Sequence, residues 1–146
     1  MSEPAESLYA TEAIRLRWHP DHLLLEFTWL SFVSGSELHE AFDRMLALSV
    51  ERGARRWLTD FTAMSAMRLA DQNWLVDNLT PRVAQQITLA RSAMVRPDHP
   101  MGAWFMDSML ARVLPGRVWP LRGFATRAAA YVWLVDTAAD AAPGGG

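Results

Sequence analysis

An apolar strand that ends at Trp29, one helix-length segment, and a second short strand from Trp57 to Phe61 constrain this chain more than any other feature. A strand that reaches its successor through a helix has crossed back over the sheet, so the two strands run parallel and an α/β fold follows. The connecting segment reads as a helix from its residues. Ser34-Gly35-Ser36-Glu37 fits a capping box, in which the Ser34 hydroxyl accepts from the amide three residues on. Leu38, Ala41, Phe42, Met45, Leu46 and Ser49 then recur at helical spacing as one stripe facing the sheet, and Gly53 supplies a left-handed end.

Upstream of this unit the period is two. Ile14, Leu16 and Trp18 alternate with Arg15 and Arg17; after a turn at His19-Pro20-Asp21-His22, the residues Leu23, Leu25, Phe27 and Trp29 alternate with Leu24, Glu26 and Thr28. These two strands form an antiparallel hairpin. Arg15 or Arg17 pairs with Glu26 on its wetter face, an exposed ion pair contributing at most about 1 kcal/mol. Downstream come a loop from Thr62 to Met67 and a helix from Leu69 to Leu79, with Thr80-Pro81 either capping a further helical piece or kinking the first. A strand at Leu89 to Val95, a helix at Met101 to Leu114 ending by Gly116, a short strand at Val118 to Leu121 and a closing helix at Phe124 to Val135 complete the order ββαβαβαβα. The expectation is a single α/β domain over residues 12–135, with a mixed sheet of about five strands backed by about four helices. Residues 1–11 read as a flexible N-terminus and 136–146, ending Pro-Gly-Gly-Gly, as a disordered tail.

Composition removes several function classes. The chain has 146 residues, a formal charge of −2 and 51% hydrophobic residues, which suits one core and lacks the basic footprint of a nucleic-acid binder. It contains no cysteine, and all 14 of its basic residues are Arg. Thiolate nucleophiles, Cys-based zinc sites, Schiff-base chemistry and Walker-type phosphate loops therefore lack their essential group. His19, His22 and His39 show no metal-ligand spacing, so neither a metal nor a cofactor is expected. With no apolar run long enough for a membrane span and an acidic start at Met1 to Thr11, the chain is expected to be soluble and cytoplasmic.

Three passages give the chain a resemblance to a known family: Trp57-Leu58-Thr59-Asp60 leading to Asp71-Gln72-Asn73-Trp74, the strand Ala93-Met94-Val95 with its loop, and the Ala128 to Leu134 helix ending Trp133-Leu134. In this order the chain resembles the STAS family, the sulfate-transporter and anti-sigma-factor-antagonist domains, and in particular its small stand-alone bacterial members. The likeness spans about residues 12 to 135. It implies a mixed sheet backed by helices and a regulatory or binding role rather than catalysis. Classical antagonists carry an Asp-Ser-Ser-Gly run with a phosphorylated serine; this chain has Thr62-Ala63-Met64-Ser65-Ala66-Met67-Arg68 instead, so phosphorylation switching does not carry over.

Ligands of open α/β sheets gather at the carboxyl ends of parallel strands. The loops there offer Asp60, Thr62, Ser65 and Arg68 after the third strand and Arg96, Asp98 and His99 after the fourth. These are the candidate contacts for a protein partner or small ligand, with loop-capping by Asp60 and helix-capping by Asp98 or His99 as the plainer roles. A second reading is a carrier for an apolar molecule, with Trp74, Trp104 and Met109 lining a cavity; a third is an enzyme using Asp98 or His99. With helices on one sheet face only, Leu24, Leu30, Trp119 and Leu121 would leave an apolar surface, and a homodimer is expected to cover it.

Overall fold

A computed structural model describes residues 4–116 and 119–136. Its sheet has six strands in the order β1(Glu6–Ala10), β2(Ile14–His19), β3(Leu24–Trp29), β4(Arg56–Asp60), β5(Arg91–Val95) and β6(Leu121–Phe124). β1, β2 and β3 are antiparallel neighbours, and β3 through β6 are parallel, as the crossover argument requires. The alternation in β2 and β3 sets their register: Leu16 faces Phe27, and Arg17 faces Glu26. β1 was not anticipated. Residues expected to be flexible pair with β2 from Glu6 to Ala10, and an irregularity between Ser7 and Tyr9 breaks this outer strand, as edge strands commonly are broken.

Helix α1(Gly35–Arg52) buries Leu38, Ala41, Phe42, Met45, Leu46 and Ser49, the stripe its spacing predicts, and ends on Gly53 at φ 68°. Ser49 is satisfied in the core: its hydroxyl donates to Met45 O at 2.7 Å and accepts from Trp57 Nε1 at 2.8 Å. The capping box does not form. Ser34 stands at the N-cap but makes no capping bond; its hydroxyl accepts from Arg68 instead, and the Gly35 amide, at φ 61°, donates to Asp71, 36 residues away.

The next crossover is continuous but not uniform: α2(Leu69–Trp74), a π turn from Leu75 to Leu79, and α3(Thr80–Gln86). Pro81 accounts for the widening, since its ring and missing N–H disrupt regular α-bonding to the preceding turn. Thr80 compensates, donating both its amide and its hydroxyl to Leu75 O. Thr80 is itself helical and caps no new helix, so the capping reading of Thr80-Pro81 fails, and the interruption takes the form of a π turn. α4(Pro100–Val113) crosses from β5 to β6, and α5(Arg127–Val135) closes the described chain.

Three crossovers that all step the same way across the sheet place their helices on one face. That face carries the larger core, with Leu16, Phe27, Trp29, Phe42, Phe61 and Met106 among its buried residues. α5 packs on the opposite face, where Leu24, Leu58, Ala93, Val95, Ala130 and Leu134 form a second core. The expected apolar surface is therefore largely covered. Leu24 is buried beneath α5, Trp119 is buried on the helical face, Leu121 is half-buried there, and of the four only Leu30 is exposed.

The last strand begins later than expected, at Leu121: Trp119 is buried, Pro120 is exposed and accepts from the Ser92 amide of β5 at 2.9 Å, and Val118 lies outside the described residues. The tail from 137 onward and residues 1–3 also lie outside them. Among the described residues no helix is long and apolar enough to cross a membrane.

Candidate functional site

The carboxyl ends of β3 to β6 lie along one rim, and the loops after β4 and β5 are joined there. Asp60 is in register with Val95, the Phe61 amide donates to Val95 O at 3.1 Å, and the Asp98 amide donates to Thr62 O at 3.1 Å. Asp60 and Arg96 therefore emerge side by side, as the parallel pairing demands. Their polar groups are engaged internally. Asp60 accepts from the Thr62 amide at 3.0 Å and hydroxyl at 2.5 Å, closing its own loop. Arg96 makes two bonds to Asp107 on α4, at 2.6 and 3.0 Å, which hold the Asp107 carboxyl below its ordinary range. His99 caps α4, its Nδ1 accepting from the Met101 amide at 3.1 Å. Arg68 donates to Ser34; Ser65 and Asp98 are exposed.

The hydroxyl held against a carboxylate on this rim, Thr62 on Asp60, is part of that loop closure. Three or more metal-ligating side chains do not converge anywhere among the described residues. What the rim does carry is exposed apolar surface. Of the nine large hydrophobic side chains exposed among the described residues, five belong to this end: Leu30 and Phe32 after β3, Leu69 at the start of α2, and Met101 and Trp104 in the first turns of α4.

Behind the rim, one His–Asp contact was not legible in the sequence. Asp71, buried, accepts from Gly35 and lies 3.0 Å from His39 Nε2, while the His39 ring stacks on Trp74 at 4.1 Å and 4°. The arrangement ties α2 to the start of α1. It also removes Trp74 from the expected cavity, and Trp104 is removed by its exposure.

A cavity does exist, between β4, β5 and β6 and the helices of the larger core. It holds ≈ 530 Å³ of empty space, its open mouth included. Of the expected lining residues it contains Met109. Phe42, Trp57, Phe61, Met94, Val113 and Trp119 supply aromatic and flexible apolar wall, and the π turn contributes Leu75 and Leu79. Thr59, Thr80 and Ser92 are the polar members, and two of these hydroxyls donate to backbone carbonyls, Thr59 to Ala93 O and Thr80 to Leu75 O. Among the described residues no ionisable side chain lines it. Neither the π turn nor Trp119 is legible in the sequence as cavity wall: the first is a local response to Pro81, and the second falls in a segment whose pattern reads only as a short strand.

On the other face, Glu26 is fully buried, not solvated as the hairpin pattern suggested. It receives Arg17 at 3.2 Å, His19 at 2.8 Å, and Arg127 of α5 at 2.6 and 2.9 Å. Burial alone raises a carboxyl, but the bonds from Arg127 and His19, with the charges of Arg127 and Arg17, outweigh it and hold Glu26 at about 2.

The chain matches no family model, and neither a curated protein nor a solved structure matches it.

Proposed function

We propose that this domain is a non-catalytic, STAS-like binding module whose ligand is a small apolar molecule held between the sheet and the helical layer. The observation that carries the reading is the cavity: among the described residues its wall is aromatic, Leu, Val and Met side chains with Thr59, Thr80 and Ser92 and holds no ionisable group, and a π turn borders it. The polar rim residues support it by contrast. Asp60, Arg96 and His99 already serve as loop closure, ion pair and helix cap, which leaves an enzyme using Asp98 and His99 without a free base at His99 Nδ1. Ethylbenzene titrated into methyl-labelled protein is the test. Saturable shifts of the Met94 and Met109 methyl resonances are expected, and unmoved methyls at the solubility limit of ethylbenzene would remove the reading.

A second reading rests on the rim. Leu30, Phe32, Leu69, Met101 and Trp104 are 42–67% exposed and flank Arg68 and Asp98, the composition of a surface that meets another protein. We take the partner to be a second copy of this chain. Light scattering then gives twice the chain mass for the unaltered protein and the single mass for F32D/W104D. A single mass for the unaltered chain at micromolar concentration would dispose of the homodimer.

A further inference from the structure

α5 lies over β4, β5 and β6, and beside it the same sheet face continues over β3 and β2 with positive charge in excess. Arg15 and Arg17 stand two residues apart on β2, so their side chains leave this face about 7 Å from each other. Opposite them in β3 are Thr28 and Glu26. Arg17 Nη2 and Arg127 Nη2 donate to one carboxylate oxygen, Glu26 Oε1, at 3.2 and 2.9 Å, which brings two guanidinium groups together above it. Their side chains are 30% and 40% exposed, whereas Glu26 is fully buried beneath them. Arg15, half-buried, makes neither a hydrogen bond nor an ion pair among the described residues. Three guanidinium groups thus share one carboxylate. Asp60 also acts on Arg127 through its charge, but its own hydrogen bonds close the loop to Thr62. Counting both acids, the cluster keeps a net positive charge, and neighbouring guanidinium groups repel unless an anion lies between them.

We propose that this face binds a phosphate-type oxyanion through the terminal guanidinium nitrogens of Arg15, Arg17 and Arg127, with Glu26 as the buried counter-ion that fixes Arg17 and Arg127 in place. The class of ligand follows from charge and shape. A tetrahedral dianion presents several acceptor oxygens to guanidinium groups arriving from two elements, whereas a carboxylate presents one edge and matches one fork. Free phosphate and a phosphate monoester on a larger molecule carry the same group. The site lies on the sheet face opposite the cavity and stands independently of the apolar ligand.

Inorganic phosphate and phenyl phosphate, each titrated at slightly alkaline pH against chloride of matched ionic strength, test the site, with the backbone amide resonances of Arg15, Arg17 and Thr28 as reporters. Saturable shifts with either phosphate, and none with chloride, are expected. R15A removes a side chain that makes no bond in the fold, so it is expected to fold normally and to weaken phosphate about five- to tenfold, the loss of one charge-assisted hydrogen bond at a partly exposed position. R55A removes an exposed charge just before β4, at the opposite end of the sheet from the rim, and is expected to leave the affinity unchanged. Tighter binding of phenyl phosphate than of phosphate assigns the ligand to an esterified molecule, and the reverse assigns it to the free anion. Shifts no larger with either phosphate than with chloride, or equal losses of affinity in R15A and R55A, overturn the site.

Discussion

Arg127, the first residue of the last helix, donates two hydrogen bonds, at 2.6 and 2.9 Å, to Glu26 in the middle of β3, a residue 101 positions earlier. A cation at a helix N-terminus opposes the helix dipole, so the position is unfavourable until a buried carboxylate answers it. The other end of the same helix is held in the complementary sense. Arg56 donates to Leu134 O at 2.7 Å and Arg91 to Trp133 O, so two sheet arginines meet the carbonyl end of α5. α5 thus has an electrostatic anchor at each end, and it covers the face that would otherwise expose Leu24, Leu58 and Ala93.

The Glu26 anchor gives stability a defined pH dependence. Its carboxyl sits at about 2 in the folded chain against an ordinary 4.5, so the unfolded chain binds the proton more readily. The stabilisation is complete above 4.5 and is lost as pH falls from 4.5 through 2, to a total of about 3 kcal/mol. Urea unfolding at stepped pH checks this: the midpoint is expected to decline over that window, and E26Q to flatten the decline. At neutral pH E26Q is expected to cost about 2–3 kcal/mol, since Arg127 is left partly desolvated without its partner.

The cap on α1 comes from another helix, and two substitutions separate this from the local capping box. S34A is expected to change stability by less than about 0.5 kcal/mol, because the Ser34 hydroxyl makes no capping bond. D71A is expected to cost about 2–3 kcal/mol, because the Gly35 amide and the His39 ring lose their buried acceptor together. Equal costs in thermal unfolding would restore the local cap.

Gly102 sits where α4 meets the loop after β4. A Cβ there falls well inside contact distance of Met64 O and 2.9 Å from Pro97 Cβ, and backbone cannot yield as a flexible side chain can. G102A is expected to lose about 3 kcal/mol in chemical denaturation, at the upper end of overpacking costs. A near-neutral G102A would mean that α4 slides freely over the rim.

Met109 borders the cavity, so its truncation separates a ligand site from a simple packing void. M109A is expected to cost about 2–4 kcal/mol as a core truncation and to admit larger apolar probes than ethylbenzene. Butylbenzene binding to M109A but not to the unaltered chain, read from the Met94 methyl, is the anticipated result; exclusion of butylbenzene by both would place Met109 outside the ligand's path.

Periodicity and end signals determined much of this protein within short windows: the hairpin from Ile14 to Trp29, the buried stripe of α1 and its Gly53 terminus, and the parallel step from β3 to β4 to β5. The shared rim of Asp60 and Arg96 followed from that pairing alone, because parallel neighbours direct their loops to the same edge. Tertiary structure decided the rest. Which face α5 covers, that Asp71 rather than Ser34 caps α1, that Glu26 is buried against Arg127, and that Trp119 rather than Trp74 or Trp104 borders the cavity all depend on partners brought together across long stretches of chain. Periodicity records only which face of its own element a side chain occupies, and it carries no information about which distant element will arrive to meet it.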